Sequence, residues 1–114
     1  MKLKNITQNS VLANEVVFAH SFFSRAIGLL GKSTWPQEKA LWLKPGNSIH
    51  TWFMRFPIDA VFVDKNLKVT RVRRNLKPGC LTWPDWKAKS VFEFTGQHPA
   101  LTNLQPGDQL HVGD

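Results

Sequence analysis

Ser48-Ile49-His50-Thr51-Trp52-Phe53-Met54-Arg55-Phe56-Pro57-Ile58-Asp59-Ala60-Val61-Phe62-Val63-Asp64 is the stretch that decides the fold. Ile58 to Val63 is apolar except for Asp59, and it is bounded by Pro57 and by Asp64-Lys65-Asn66. Such a run is too short for most helices and suits a strand covered on both faces. Pro57 cannot donate to a ladder, so it belongs at or just before the first position of the strand. In the preceding half, His50 to Phe56, both parities are largely apolar, which predicts a second extended piece entering from a turn.

Asp59 is the anomaly in this run. An unpartnered buried carboxylate costs several kcal/mol. It must therefore face water or be satisfied by Arg25, Arg55 or backbone N–H groups. The plainer expectation is a hydrogen-bonded aspartate at the start of a strand; the sharper one is an acid/base or ligand-anchoring group, with His50 or Glu93 as its companion. A lone His50 among aromatics is more often packed than catalytic.

Outward from this core, β-branched and aromatic residues predict strands at Glu15–His20, Ala40–Leu43, Ser90–Thr95 and Gln109–Val112. Leu3–Val11 reads as one polar edge strand. Phe22, Phe23, Ala26, Ile27, Leu29 and Leu30 recur at helical spacing after Ser21 and before Gly31, predicting a short helix that carries Arg25 and Gly28. Asp64-Lys65-Asn66 reads as a tight hairpin connection. The returning strand, Leu67–Asn75, does not hold one phase, because Val69 and Val72 fall on opposite parities; a bulge or an edge position accounts for that. Leu76–Ala88 is loop with one short strand at most, and Gly96–Leu104 one or two helical turns. Short strands separated by turns predict a mainly β fold: a compact barrel or jelly-roll-like sandwich with one or two short helices.

The 114 residues, 42% of them apolar, match one β-rich domain spanning 1–114. A single cysteine, Cys80, excludes an internal disulfide and a Cys-based zinc cage. His20, His50, His98 and His111 show no ligand spacing, so neither metal nor cofactor is expected. No apolar block of signal-peptide length opens the chain and no segment is long enough to span a bilayer, which reads as a cytoplasmic protein.

Fifteen Lys and Arg against eight Asp and Glu leave a net charge of +7, a field that attracts polyanions without defining a site. Six of the cations, Lys65, Lys68, Arg71, Arg73, Arg74 and Lys77, crowd into thirteen residues. They could contact phosphates while Trp83 and Trp86 stack bases. The plainer expectation is an edge strand kept from aggregating by its charge. Trp83-Pro84-Asp85-Trp86 lies in a loop, where exposed aromatics mark contact surfaces.

Arg25-Ala26-Ile27-Gly28-Leu29-Leu30-Gly31, the block from Ser48 to Asp64, Lys77-Pro78-Gly79, Val91-Phe92-Glu93-Phe94 and Pro106-Gly107-Asp108 together resemble the bacterial and archaeal domain-of-unknown-function family numbered 192. The departures are Leu30, where the family commonly shows Met, and Gln97 in a segment often richer in glycine. The resemblance implies a β-barrel or jelly-roll-like sandwich with a small helix, and no activity. It adds weight to Gly28, His50, Met54, Pro57, Asp59, Glu93 and Asp108.

The functional expectation is a non-enzymatic binding module for a small ligand or a protein partner, with His50, Met54, Asp59, Glu93 and Arg25 as the candidate pocket. The alternatives are a nucleic-acid-associated protein using the basic edge strand 65–77, with Trp83 and Trp86, and an enzyme using Asp59 with His50 or Glu93.

Overall fold

The computed structural model describes residues 1–19, 32–52 and 54–114. Its strands are β1 (Lys2–Asn5), β2 (Ser10–Ala13), β3 (Glu15–Ala19), β4 (Lys39–Leu43), β5 (Ile58–Val63), β6 (Val69–Leu76), β7 (Ser90–Thr95) and β8 (Leu110–Gly113), with a 3-10 turn at Pro99–Leu101. They form a three-stranded sheet in the order β2-β1-β8 and a five-stranded sheet in the order β3-β4-β7-β5-β6. The arrangement is the sandwich-like form of the expected β fold; among the described residues the two sheets do not close into a barrel.

Six buried residues in a row make up β5. The reason is its position between β7 and β6, with an apolar cluster on each face. Val61 and Val63 join Phe92 and Phe94 against Leu3, Leu12 and Leu110 of the smaller sheet. Ile58, Ala60 and Phe62 join Leu41, Leu43 and Val91 on the opposite face, under Ile49, Met54 and Ala88 from the loops. A strand with no wet face has no room for alternation, so its sequence is apolar apart from Asp59.

β6 is an edge strand, as its cations suggest. Two register shifts interrupt its pairing with β5. Thr70 is the extra residue of the first, since Val63 pairs with Val69 and Phe62 with Arg71. That bulge turns Val69 and Val72 to the same apolar cluster and explains the broken phase of the sequence. The second shift lies opposite Asp59, where Asn75 takes a positive φ of 54°.

Several local expectations are corrected. Leu3–Val11 is not one strand: the chain turns at Asn9 (φ 53°) and returns as β2. The strand after the hairpin starts at Val69 because Leu67 sits at φ 62°, off the extended region. Residues 48–52 and 54–57 form no strand and contribute one bridge, His50 to Leu81. β3 and β4 run parallel, a pairing that local pattern does not signal. The predicted helix over Phe22–Leu30, with Arg25 and Gly28, lies outside the described residues, as do His20 and Phe53. Among the described residues no helix is long and apolar enough to cross a membrane.

Candidate binding surface

Asp59 is buried and works on the backbone. Its Oδ1 accepts N–H bonds from Asn75 at 2.7 Å and Gln97 at 3.0 Å, and its Oδ2 accepts one from His98 at 2.9 Å. Asn75 and Gln97 both hold positive φ, so the carboxylate gathers amides that strained turns leave without ladder partners. His98 continues the network: its Nδ1 accepts from Ala100 N–H and its Nε2 bonds the Gln37 carbonyl at 2.6 Å. Those two contacts select the tautomer that carries hydrogen on Nε2.

Glu93 lies on β7 between Leu41 of β4 and Ala60 of β5. Partners across a sheet share a face, so Glu93 points into the cluster that contains Leu41, Ala60 and Met54. Asp59 pairs with Phe94 and faces the other side. Burial pushes the Glu93 carboxyl up from 4.5 to about 7. Among the described residues no hydrogen bond or ion pair reaches it. His50 is exposed on a loop, its ring 5.2 Å from that of Trp52. Asp59, Glu93 and His50 therefore do not converge on one cleft, and Arg25 lies outside the described residues.

A different group of side chains does come together. The loops 47–52 and 79–85 are zipped by backbone bonds: Thr51 N to Cys80 O, Thr82 N to Ile49 O and Asp85 N to Asn47 O, each 2.8 or 2.9 Å. The Thr82 hydroxyl accepts from Ile49 N–H, and the Thr51 hydroxyl accepts from Cys80 N–H. Alternation along this pair buries Ile49, Thr51 and Thr82 and leaves His50, Trp52, Leu81 and Trp83 outside. Leu81 is 64% exposed and Trp83 81%. The result is a firm ledge of bare aromatic and aliphatic surface. Pro84 holds Trp83 extended.

Asp85 then ties the ledge to the sheet. Its N–H bonds Asn47, its Oδ2 accepts the Thr70 hydroxyl at 2.7 Å, and its Oδ1 accepts Lys87 N–H. Next to it, Trp86 is 80% exposed and walls a cleft of about 650 Å³ that Lys65, Lys68, Lys87 and Lys89 also line.

The six-cation cluster read from the sequence is thus divided. Lys65 and Lys68 go to the cleft. Arg74 Nη2 donates to the Leu101 and Leu104 carbonyls, clamping the end of the 3-10 turn and the segment after it. Arg71 and Arg73, half-buried, pair with Phe62 and Ala60, and Lys77 follows the far end of β6. Lys87 and Lys89 were not singled out by the sequence; their alternation after Trp86 was the available signal. Among the described residues no group of three His, Cys, Asp or Glu side chains could hold a metal ion.

Two curated relatives span nearly the whole chain. The UPF0127 protein of Pyrococcus horikoshii is 34% identical over 113 residues, covering 93% of this chain and 94% of its own length. Its counterpart in Pyrococcus furiosus is 29% identical over 111 residues, with 93% of each covered. Among solved structures, a protein of unknown function from Novosphingobium aromaticivorans superimposes with a TM-score of 0.81 at 18% identity, covering 97% of this chain and 82% of that one. A structure from Sinorhizobium meliloti, named as a candidate transcription regulator, gives 0.79 at 16%, covering 96% and 89%. At such identities the likeness is one of fold. The family profile described as Uncharacterized ACR, domain of unknown function 192, matches residues 4–112, and the chain belongs to that family.

Proposed function

We propose that the chain is a non-enzymatic binding module whose ligand is a flexible polyanion carrying planar rings, for which single-stranded nucleic acid is the fitting class. One observation carries the reading: two almost fully exposed indoles, Trp83 and Trp86, flank Asp85 on a braced loop, with four lysines around the second. Single-strand binders combine stacking platforms with a cationic path for the phosphates. The net charge of +7 favours such a ligand over a neutral one. The enzyme alternative draws less support, because both Asp59 oxygens are occupied by backbone amides and Glu93 faces the other side of the sheet.

Fluorescence anisotropy with a labelled single-stranded oligonucleotide of roughly ten residues tests this. Affinity should fall with salt at a log–log slope of about −0.7 per phosphate contact, so two to four contacts give roughly −1.5 to −3. A salt-independent affinity, or no binding at low salt, removes nucleic acid and returns the surface to a protein partner or a neutral small ligand.

A further inference from the structure

The cleft beside Trp86 is an open depression with a strongly basic lining. Lys65 and Lys68 come from the turn joining β5 to β6, Lys87 and Lys89 from the loop entering β7, and Pro106-Gly107 from the turn before β8. Its volume of about 650 Å³ falls within the range of small-molecule sites. Its base is set by backbone: Val69 N–H bonds Asp108 O at 2.9 Å, and Gly107 N–H bonds Val69 O at 2.8 Å. The opening is therefore shaped by the seam between the sheets and not by side chains alone.

Two carboxylates, Asp64 and Asp85, lie beside the four lysines, so the surroundings keep a net positive charge, and each also holds backbone. Asp64 Oδ1 accepts from Asn66 N–H and Lys68 N–H, holding the turn. Asp85 accepts from Thr70 and Lys87 N–H, holding the loop. Among the described residues the ion pair formed is Lys39 with Glu15, away from this cleft. The turns thus use their acids to fix backbone, and among the described residues none of the four ammonium groups is held in an ion pair, which leaves an excess of cations to meet an anion. A merely solvated lysine patch would account for the charge. It would not account for an indole held 80% exposed at its wall.

A ligand matching both features needs compact negative charge and a flat ring within one small body. A phosphorylated nucleoside has that form, and the volume admits one such unit. We propose that this cleft is a single-nucleotide subsite, in which Trp86 stacks the base and Lys65, Lys68, Lys87 and Lys89 surround the phosphate. The inference rests on the binding reading above and deepens it. The unit can be a free mononucleotide or one residue of a strand, and the chemistry recognised is the same.

The test uses the full chain, with adenosine 5′-monophosphate, adenosine, inorganic phosphate and a short single-stranded oligonucleotide as separate probes. Isothermal titration, together with the indole N–H resonances, reads binding and its location. The nucleotide should bind at least about tenfold tighter than adenosine or phosphate and should move the Trp86 resonance. Trp86→Ala should weaken it roughly five- to 150-fold, the loss of one stacked base. Lys65→Ala with Lys87→Ala should weaken the nucleotide and spare adenosine. These residues are exposed, so circular dichroism and melting should be unchanged in the variants. Affinity that rises with strand length identifies a strand as the source, and equal affinity for nucleotide and strand identifies the free nucleotide. Oligonucleotide binding without mononucleotide binding, or without dependence on Trp86, overturns the subsite while the wider reading stands. Equal binding of adenosine, phosphate and nucleotide also overturns it. No binding of any probe overturns both.

Discussion

Asp59 and Glu93 sit on adjacent strands of one sheet and project from opposite sides of it: Asp59 is paired with Phe94 and Glu93 with Ala60. One carboxylate is saturated with backbone donors; the other stands in an apolar cluster. Their separation makes them two independent experiments.

Asp59→Asn should destabilise the fold by about 2–4 kcal/mol, because bonds to a charged acceptor contribute roughly 1.5–3 kcal/mol each and the amide retains only one acceptor oxygen. Urea denaturation by far-UV circular dichroism measures it. An unchanged midpoint would mean that the amides of Asn75, Gln97 and His98 find other partners, and would reopen a functional role for the carboxylate.

Glu93→Gln should change the pH dependence. Below about 4.5 the carboxyl is protonated both folded and unfolded, so no penalty exists. Between 4.5 and about 7 the unfolded chain releases the proton while the folded chain keeps it, so Glu93 makes stability fall as pH rises. Above 7 the loss levels off, at about 3 kcal/mol by the usual 1.36 kcal/mol per pH unit. The glutamine variant should therefore gain on the parent between pH 5 and 8. Paired urea titrations at those two values check the sign.

Gly96→Ala should cost about 1–3 kcal/mol. A Cβ at this position would meet the Pro57 backbone carbon and oxygen at 2.9 Å, and backbone cannot rotate away. The Gly96 N–H also bonds Pro57 O, so the two segments are held together where the clash would fall. A thermal melt of the variant reads the loss.

Trp83→Ala and Trp86→Ala should leave stability within about 0.5 kcal/mol of the parent, since neither indole is packed. Both should weaken oligonucleotide binding. A large drop in melting temperature would place the indoles in the core and remove the surface reading.

β5 was legible because burial on both faces leaves a run that is apolar but for Asp59, and β6 because a bulge leaves a phase break. The ledge was not. Its alternation of buried Ile49, Thr51 and Thr82 with outward His50, Leu81 and Trp83 depends on pairing two loops about thirty residues apart, which no local pattern reports. Trp52, Met54 and Phe56 misled for the same reason: the first serves the ledge and the other two the cluster under it, not a ladder. Asp59 was read correctly as needing donors. Which amides supply them follows from turns at Asn75 and Gln97, whose positive φ no local rule marks. The split of the basic cluster was hidden likewise, because Arg74 is taken by carbonyls near residue 100.

The order β2-β1-β8 pairs Lys2 with Gly113 and Asn5 with Leu110, so the first strand waits for the last. Until β8 is available the β1–β2 pair has one edge open, and a lone two-stranded hairpin is only marginally stable. Closing so long a loop is entropically slow. The rate-limiting event in refolding is therefore expected to be the capture of β8, and shortening that strand should leave a hairpin edge free to recruit neighbouring chains.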